Sequence, residues 1–311
     1  GTIDDVMIWD TALSGSTIEK VYWSGDGSYY PIVDANGGDY SFKVTADDVL
    51  IRKFEVHDTG DDDEDAGIFI DEADDVTIDK IISKSNDFGI RVYDSDDVKI
   101  YSITINCDSH EEGLRIQSSD NIEVAWGDYD CATEYGIYSY RSNNGVYHNF
   151  SLDDNKYGLR FYSDTGTVND ATSNQINSLS ISNSASSGLE FDGADNNTVY
   201  DTTFDDNKYG VTFSWGADHN LLNDVNFVDS DDYDIYHAGC GANGDCGGWD
   251  NYLVDTTFGD ISLNSASRLL VKELLETDVT DNGTYAWNRI NTTLDDDRLA
   301  SSGVNSLWLG K

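Results

Sequence analysis

One short pattern recurs along most of this chain: a glycine followed by an apolar residue, a variable residue and, in most copies, a second apolar residue. The copies are GIFI at Gly67, GIRV at Gly89, GLRI at Gly113, GIYS at Gly136, GLRF at Gly158, GLEF at Gly188 and GVTF at Gly210, with a degenerate DIYH at Asp234. Successive copies are 22 to 24 residues apart, except for one interval of 30. Short strand-like segments with a period near 22 are typical of a stacked solenoid. The hexapeptide DDNKYG, present at 153–158 and again at 205–210, marks the same point in two coils.

Positions counted from the glycine agree from coil to coil. Apolar residues at offsets +1 and +3 should point inward, because side chains alternate along a strand. Offset +8 carries Asp or Asn, which predicts a ladder of stacked side chains at one turn. The ladder positions are Asp75, Asp97, Asn121, Asn144, Asn196 and Asp218. The pattern resembles the right-handed parallel β-helix repeat family over about residues 40–262, which implies an all-β, single-stranded parallel β-helix.

The two ends do not follow the period. Residues 1–25, GTIDDVMIWDTALSGSTIEKVYWSG, resemble the last strand and closing turn of a laminin-G-like, concanavalin-type domain. Because the rest of such a domain is absent and the chain begins with Gly1, we interpret it as a piece of a longer protein. Residues 26–39 are expected to be a linker. Residues 263–311 should cap the solenoid or start a further β-domain, with RLLVKELLETDV as either a short helix or a strand.

The charge is strongly negative, with 18 basic against 60 acidic residues and a net charge of −42. Such a field repels nucleic acid and anionic membranes, and no apolar run reaches the roughly 20 residues of a membrane-spanning helix. It suits a halophilic or marine extracellular surface, and dedicated calcium sites are the sharper alternative. The calcium candidates are Asp58, Asp61, Asp62, Asp63 and Asp65. The sequence requires no cofactor.

Four cysteines fit two disulfides. Cys107 and Cys131 both follow their glycine by 18 residues. Equal offsets place them in adjacent coils, about 4.8 Å apart, within disulfide range. Cys240 and Cys246 would close the inserted loop GCGANGDCGG. A zinc site is the alternative, but two disulfides favour an oxidising, extracellular setting.

Two further surface features concern loops and sequons. The inserted segments SDTGTVNDAT and GCGANGDCGG should project from the same corner, three coils apart, where partners dock on solenoids. The sequons give N-glycosylation candidates at Asn149, Asn282 and Asn291, whereas Asn196 is expected to be too enclosed on the ladder.

Offsets +2 and +4 predict the outer face of the sheet that begins at the glycine. The contact residues predicted there are Arg91, Tyr93, Arg115, Tyr138, Tyr140, Arg160 and Tyr162. Tyrosine rings stack on sugars and arginines fork onto carboxylates or sulfates, so this face could bind an acidic polysaccharide, another surface protein or a second copy of the chain. The alternative is a structural surface on which each arginine covers a tyrosine or pairs with an aspartate.

Catalytic signals are few. The resemblance extends to polysaccharide lyases, epimerases and hydrolases, but the G-H-G and D-P-H motifs of two such groups are missing. The best alternative catalytic set is Glu190 and Asp192 opposite Arg160. The five histidines do not cluster, so copper or zinc chemistry is not expected. We therefore predict a non-enzymatic extracellular structural or adhesive protein, part of a larger cell-surface assembly. The alternative is a carbohydrate-active enzyme or a glycan-binding module.

Overall fold

The structure is a computed structural model that describes residues 30–60, 65–105, 110–164, 171–238, 251–262, 269–272 and 308–309. These residues form strands joined by turns and contain no helix, hence none that could cross a membrane. The strand pairs are parallel. The all-β parallel solenoid expected from the repeat is therefore confirmed.

The strands are short and follow one another at every level of the solenoid. The first thirteen are β1 (Ile32–Asp34), β2 (Tyr40–Val44), β3 (Leu50–His57), β4 (Ala66–Asp71), β5 (Thr77–Lys84), β6 (Phe88–Tyr93), β7 (Lys99–Tyr101), β8 (Thr104–Ile105), β9 (Glu112–Gln117), β10 (Glu123–Ala125), β11 (Asp128–Tyr129), β12 (Tyr135–Tyr140) and β13 (Val146–His148). The others are β14 (Ser151–Asp153), β15 (Tyr157–Tyr162), β16 (Gln175–Asn177), β17 (Ser180–Ser182), β18 (Ser187–Asp192), β19 (Thr198–Asp205), β20 (Asn207–Ser214), β21 (Leu221–Phe227), β22 (Ser230–His237), β23 (Asn251–Val254), β24 (Ile261–Ser262), β25 (Leu269–Lys272) and β26 (Trp308–Leu309).

Two parallel sheets run along the solenoid axis. The first, here called the glycine sheet, contains ten strands in the order β2-β4-β6-β9-β12-β15-β18-β20-β22-β24. Its register aligns Ile68 with Ile90, and Ile90 with Leu114, as the repeat predicts. The second, here called the kinked sheet, contains the other sixteen strands. In this sheet each coil bends at one residue, which in many coils separates two short strands.

The bend in the kinked sheet falls in the same column at every level. Its residues have φ between 47° and 61°, the left-handed region. They are Lys53, Lys80, Ser102, Trp126, Asn149, Ser178, Asp201, Asp224 and Asp255. Asn, Asp and Ser are common in this conformation, because a short polar side chain tolerates it, whereas a bulky residue there is an outlier.

The core lies between the two sheets and is formed by the inward columns. Large side chains repeat from coil to coil, as in the stack of Phe161, Phe191 and Phe213 with ring centroids 5.7 Å apart. The repeated glycine allows neighbouring coils to approach each other. A Cβ at Gly113 would lie 2.5 Å from the carbonyl oxygen of Gly136, which explains why this column is glycine in seven coils.

An amide ladder exists, but only in the later coils and one residue after the predicted position, because Val76, Val98, Ile122 and Gly145 follow the first four predicted positions. Asp75, Asp97, Asn121, Asn144 and Asn196 are exposed left-handed corner residues and do not stack as amides. The expectation that Asn196 is enclosed is therefore wrong. In the next coil His219, not Asp218, takes this position, because the corner after Ser214 contains one more residue.

The buried amide ladder consists of Asn174, Asn197, Asn220 and Asn251. Asn197 Nδ2 donates to Asn220 Oδ1 at 3.1 Å, and Asn220 Nδ2 donates to Asn251 Oδ1 at 3.1 Å. Asn220 Oδ1 also accepts the backbone N–H of Asn197 at 3.0 Å, and Asn251 Oδ1 accepts that of Asn220 at 2.9 Å. This arrangement satisfies buried backbone donors that no strand partner reaches.

The repeated hexapeptide has a similar explanation. Its Asn155 accepts the N–H of Ala132 at 2.8 Å and donates to Tyr129 O at 2.9 Å. Its second copy, Asn207, makes the equivalent pair of bonds, and both asparagines are buried. The hexapeptide is therefore a structural corner that ends one coil and begins the next.

The ends differ from the expected boundaries. β1, in the predicted linker 26–39, pairs with β3 and belongs to the solenoid. β25 pairs in parallel with β23, so Leu269–Lys272 continues the kinked sheet as a strand and is not a helix. Periodicity could not settle this point, because the spacing of Leu269, Val271 and Leu274 fits either structure. The laminin-G-like segment 1–25 lies outside the described residues, as does most of 263–311.

Candidate contact face and carboxylate cluster

The predicted contact residues lie on the outer surface of the glycine sheet, which we call the tyrosine–arginine face. The register places Arg91, Arg115, Tyr138 and Arg160 in one column. Tyr93, Gln117, Tyr140 and Tyr162 form the column beside it. The two-residue alternation of these strands thus brings all seven predicted side chains onto one surface.

Tyrosine rings stack along this face. The ring centroids of Tyr140 and Tyr162 are 5.4 Å apart, and those of Tyr135 and Tyr157 are 5.1 Å apart. Tyr138 lies 4.8 Å from Tyr135 and 6.3 Å from Tyr140, with nearly parallel planes in both cases. Aromatic residues at the position before the glycine also stack between coils, as in Tyr135–Tyr157 and Tyr209–Tyr233. Such pairs stabilise the coil stack beyond the area they bury.

The alternative catalytic residues meet around Arg160. Its Nε lies 3.3 Å from Glu190 Oε2 without the alignment of a hydrogen bond, and its Nη2 donates to Asp192 Oδ2. Nη1 donates to Tyr135 Oη at 2.6 Å. Burial raises the pKa of Glu190, against the opposing charge of Arg160. One guanidinium thus contacts both carboxylates, and the cluster is only slightly exposed.

A second buried carboxylate lies two coils away. Glu112 is 3% exposed and lies 3.4 Å from Arg115 Nη2. Burial raises the pKa of Glu112 to about 8, although Arg115 opposes the shift. Arg91 is 7% exposed, lies over the rings of Phe69 and Phe88, and has two nitrogen atoms without a hydrogen-bond partner.

These contacts correct the expected electrostatics of the face. Three arginines in one column suggest a positively charged face, but Arg115 and Arg160 each lie beside carboxylates. Arg91 and Tyr138 are buried, so a partner could not reach most of either side chain. The partly exposed residues are Tyr93, Arg115, Tyr140, Arg160 and Tyr162. The structural alternative, in which arginines cover tyrosines and pair with acids, describes the observed contacts.

Glu112 was not among the sequence candidates, although a signal for it exists. It occupies the position before the glycine that holds Phe88 and Tyr135 in the neighbouring coils. A carboxylate in a column of aromatic residues must be buried or must interrupt the stack. A glutamate among the aromatic residues of this column was therefore the sequence signal for Glu112.

Several predicted sites fall partly or wholly outside the described residues. Cys131 is disulfide-bonded, but Cys107, Cys240 and Cys246 are not described, so the pairings stay predictions. Ile105 pairs with Tyr129, and Cys107 and Cys131 follow these residues by two positions in the sequence. Asn149 is exposed, whereas Asn282 and Asn291 are not described.

The calcium candidates and the inserted loops also lie at least partly outside the described residues. Asp58 and Asp65 are described, but Asp61, Asp62 and Asp63 are not. Residues 165–170 of the first insertion and the whole of the second, within 239–250, also lie outside the described residues. The described residues that follow them, Asn174 and Asn251, belong to the same amide ladder, so both insertions precede the same corner of the coil.

Comparisons with known proteins agree with this architecture. Residues 24–178 match the family described as "Periplasmic copper-binding protein (NosD)". This match covers just under half of the chain, and it agrees with the resemblance to right-handed parallel β-helix proteins. No curated protein sequence matches it significantly.

Solved β-helix structures resemble the chain in fold. The N-terminal fragment of bacteriophage Phi29 gene product 12 has a TM-score of 0.54 at 14% identity, covering 77% of this chain and 51% of its own. The periplasmic alginate epimerase AlgG has a TM-score of 0.52 at 13% identity, covering 75% and 61%. An alginate lyase from Paenibacillus sp. str. FPU-7 has a TM-score of 0.49 at 12% identity, covering 67% and 87%. The chain thus spans between half and two thirds of the first two proteins, and these identities show the fold alone.

The copper in the family description does not fit the described residues. Among them, no group of three or more His, Cys, Asp or Glu side chains could hold a metal ion. His110 is buried and contacts backbone carbonyl oxygens of Asn86 and Ser83. His237 is buried against Phe213, and burial lowers its pKa to about 3. The described residues therefore provide no ligand set from which copper chemistry could be derived.

Proposed function

We propose that this chain is a non-enzymatic structural or adhesive segment of a larger extracellular surface assembly. The observation that carries the proposal is the closure of the carboxylate pair by Arg160. Glu190 and Asp192 have side chains only 12% and 5% exposed, and the same guanidinium contacts both. A hydrolase needs its acid and its base or nucleophile free to reach a sugar. Here both carboxylates instead stabilise the stacked coils.

Composition and family are consistent with an extracellular location. The net charge of −42 keeps such a surface soluble at high salt, and the family description names a periplasmic protein. Predicted disulfides and sequons would suit the same setting. A solenoid built from repeated coils also provides a long, rigid body for display or assembly.

The assembly contact that we propose is the exposed part of the tyrosine–arginine face. Tyr140 and Tyr162 present stacked rings at its edge, with Arg141 above the ring of Tyr140. Tyrosine and arginine are enriched where protein contacts are strongest. A second copy of the chain, or another surface protein, could cover these rings without disturbing the buried Arg160 cluster.

Replacement of Tyr140 and Tyr162 by alanine tests this contact. The double variant should lose self-association in sedimentation velocity, while its far-UV circular dichroism stays native. Tyr200→Ala is the matched control, since Tyr200 is 36% exposed on the kinked sheet and should leave association unchanged. Equal association of all three proteins would reject this face as the contact.

A carbohydrate-active enzyme remains the second candidate, and one observation favours it. The raised pKa of Glu190 is a property of general acids, and Asp192 lies beside it. On this alternative, Arg160 would release the pair when substrate binds. Turnover of a polysaccharide that Glu190→Gln abolishes, with the fold intact, would establish the enzyme and exclude the structural proposal.

A further inference from the structure

A groove runs along the outside of the kinked sheet, next to the column where each coil bends. Its volume is about 790 Å³. One wall is the left-handed column from Lys80 to Asp201, and the other carries Thr104, Asp128, Ser151 and Ser180. Buried residues such as Ile103 and Phe150 form its floor. Because the column spans six levels of the solenoid, the groove is elongated along the axis.

Trp126 is an unusual residue at this position. It has φ of 54° and is 53% exposed. The other residues of its column are Ser, Asn, Asp or Lys, and a left-handed conformation is costly for a bulky side chain. An exposed indole also gains little from burial. Local stability therefore does not explain a tryptophan here, and strained residues of this kind concentrate at functional sites.

The neighbours of Trp126 hold its ring in place. Its centroid lies 5.5 Å from the ring of Tyr101 and 5.5 Å from that of His148. Small residues flank it in the chain, Ala125 and Gly127. His148 in turn lies 3.4 Å from Glu123, and Tyr101 donates to Glu123 at 2.6 Å. The exposed part of the indole is thus a fixed apolar platform on the groove wall.

Polar groups with fixed orientations line the same groove. Ser151 donates to Asp128 Oδ1 at 2.6 Å, and Ser178 donates to Asp201 Oδ2 at 2.9 Å. Each carboxylate keeps acceptor capacity for further donors. Among the described residues that line the groove, Lys80 is the one basic side chain. This charge pattern favours ligands rich in hydroxyl donors and disfavours polyanions.

We propose that this groove binds a neutral oligosaccharide, with Trp126 as the stacking platform and Asp128 and Asp201 as acceptors for sugar hydroxyls. An aromatic platform beside a few oriented polar groups is the usual composition of a small-ligand site. The groove lies on the opposite sheet from the Arg160 cluster. The proposal therefore goes beyond the assembly role and does not depend on it.

Isothermal titration of the full chain with cellohexaose, laminarihexaose and mannohexaose tests the proposal, with hexamannuronate as the acidic comparison. The protein should come from bacteria that lack N-glycosylation, so that Asn149 in the groove is unmodified. At least one neutral hexaose should bind, and hexamannuronate should not. Trp126→Ala should weaken binding roughly tenfold or more, as expected for an aromatic anchor.

Trp215→Ala is the matched control. Trp215 is also left-handed and 54% exposed, but it lies in another corner of the coil. Trp215→Ala should leave the affinity for the hexaose unchanged. The Tyr140 and Tyr162 double variant should do the same, and this result separates the present proposal from the assembly contact. Asp128→Asn should also weaken binding, with native circular dichroism.

Three results would overturn the proposal. The first is no binding of any neutral hexaose. The second is equal effects of the Trp126 and Trp215 substitutions. The third is full glycosylation of Asn149 in the native protein, since the groove would then hold the chain's own glycan.

Discussion

The two outer surfaces of this solenoid use aromatic side chains in opposite ways. On the glycine sheet, Tyr135, Tyr138 and Tyr157 stack on one another and cover arginines that pair with buried carboxylates. On the kinked sheet, Trp126 is more than half exposed, in a backbone conformation that suits Asn or Ser better. In the first arrangement the rings and charged groups mainly contact one another, although several buried atoms of Arg91, Arg160 and Glu190 have no hydrogen-bond partner. In the second, an aromatic ring stays open to contact.

This difference shows which surface carries its residues for stability. A buried charge pair is costly to break, because removing one partner leaves the other charge uncompensated, and its enclosed groups offer little to a binding partner. An exposed ring in a strained position has no such explanation. Arginine and tyrosine content alone indicated the glycine sheet as the functional face, but burial and pairing shift attention to the kinked sheet.

The largest effect should come from breaking the Arg160 cluster. Arg160→Met leaves Glu190 and Asp192 buried without a cation, which should lower the free energy of unfolding by about 3–5 kcal/mol. Arg52→Met on the kinked sheet is the control. It removes an exposed pair with Asp79 at 2.7 Å and should cost less than about 1 kcal/mol. Urea unfolding of both variants measures the difference, and similar losses would contradict the closed character of the Arg160 cluster.

Glu112 should make the same face sensitive to pH. Its pKa of about 8 lies above the roughly 4.3 of an unfolded glutamate. The folded state thus holds this proton more tightly, so its contribution is complete below about pH 4 and is lost as the pH rises through 8. Between these values, wild type should lose stability faster than Glu112→Gln, by at most about 1.4 kcal/mol per pH unit.

Thermal unfolding at a series of pH values measures this slope. The repulsion among the many carboxylates affects both proteins, so the difference between them isolates Glu112. Glu72→Gln is the matched control, because Glu72 is an exposed glutamate two coils away from Glu112. Parallel curves for wild type and Glu112→Gln would show that Glu112 titrates normally.

The sequence predicted the fold well because the repeat is periodic. The glycine column and the apolar columns at +1 and +3 follow from one offset count, and the register of Ile68, Ile90 and Leu114 agrees with it. The Asn ladder was misplaced by one residue, because Asn196 and Asn197 are adjacent and both fit a turn. Only the backbone conformation distinguishes the left-handed corner residue from the buried amide beside it.

The site was less predictable, for a physical reason. Offsets identify which residues share a face, but not which of them are covered. Arg91 and Arg160 occupy the same column, yet one lies over phenylalanines and the other between two carboxylates. Trp126 escaped attention because its left-handed conformation has no signature in a period-two pattern.

The tyrosine stack should show measurable coupling between its members. Tyr140 and Tyr162 have parallel rings 5.4 Å apart, so a double-mutant cycle with alanine should give a coupling energy of about 1 kcal/mol. Tyr140 with Tyr200, which lie on different sheets, should give none. Coupling near zero in both cycles would mean that the stack is a consequence of strand spacing and not a source of stability.

The two surfaces can be compared most directly by replacing one aromatic residue on each with asparagine. The smallest effect on the free energy of unfolding is expected for Trp126→Asn. Trp126→Asn introduces a residue that adopts the left-handed conformation readily, as Asn149 does one coil away. Relief of about 1 kcal/mol of backbone strain should offset the lost contacts with Tyr101 and His148, leaving the free energy of unfolding unchanged or about 0.5 kcal/mol higher. Tyr138→Asn, in contrast, removes a ring that is 9% exposed and should cost about 3 kcal/mol or more. Urea unfolding at one pH and salt concentration compares the two. If Trp126→Asn destabilises the protein as much as Tyr138→Asn does, Trp126 is a structural residue, and its exposure no longer indicates a ligand.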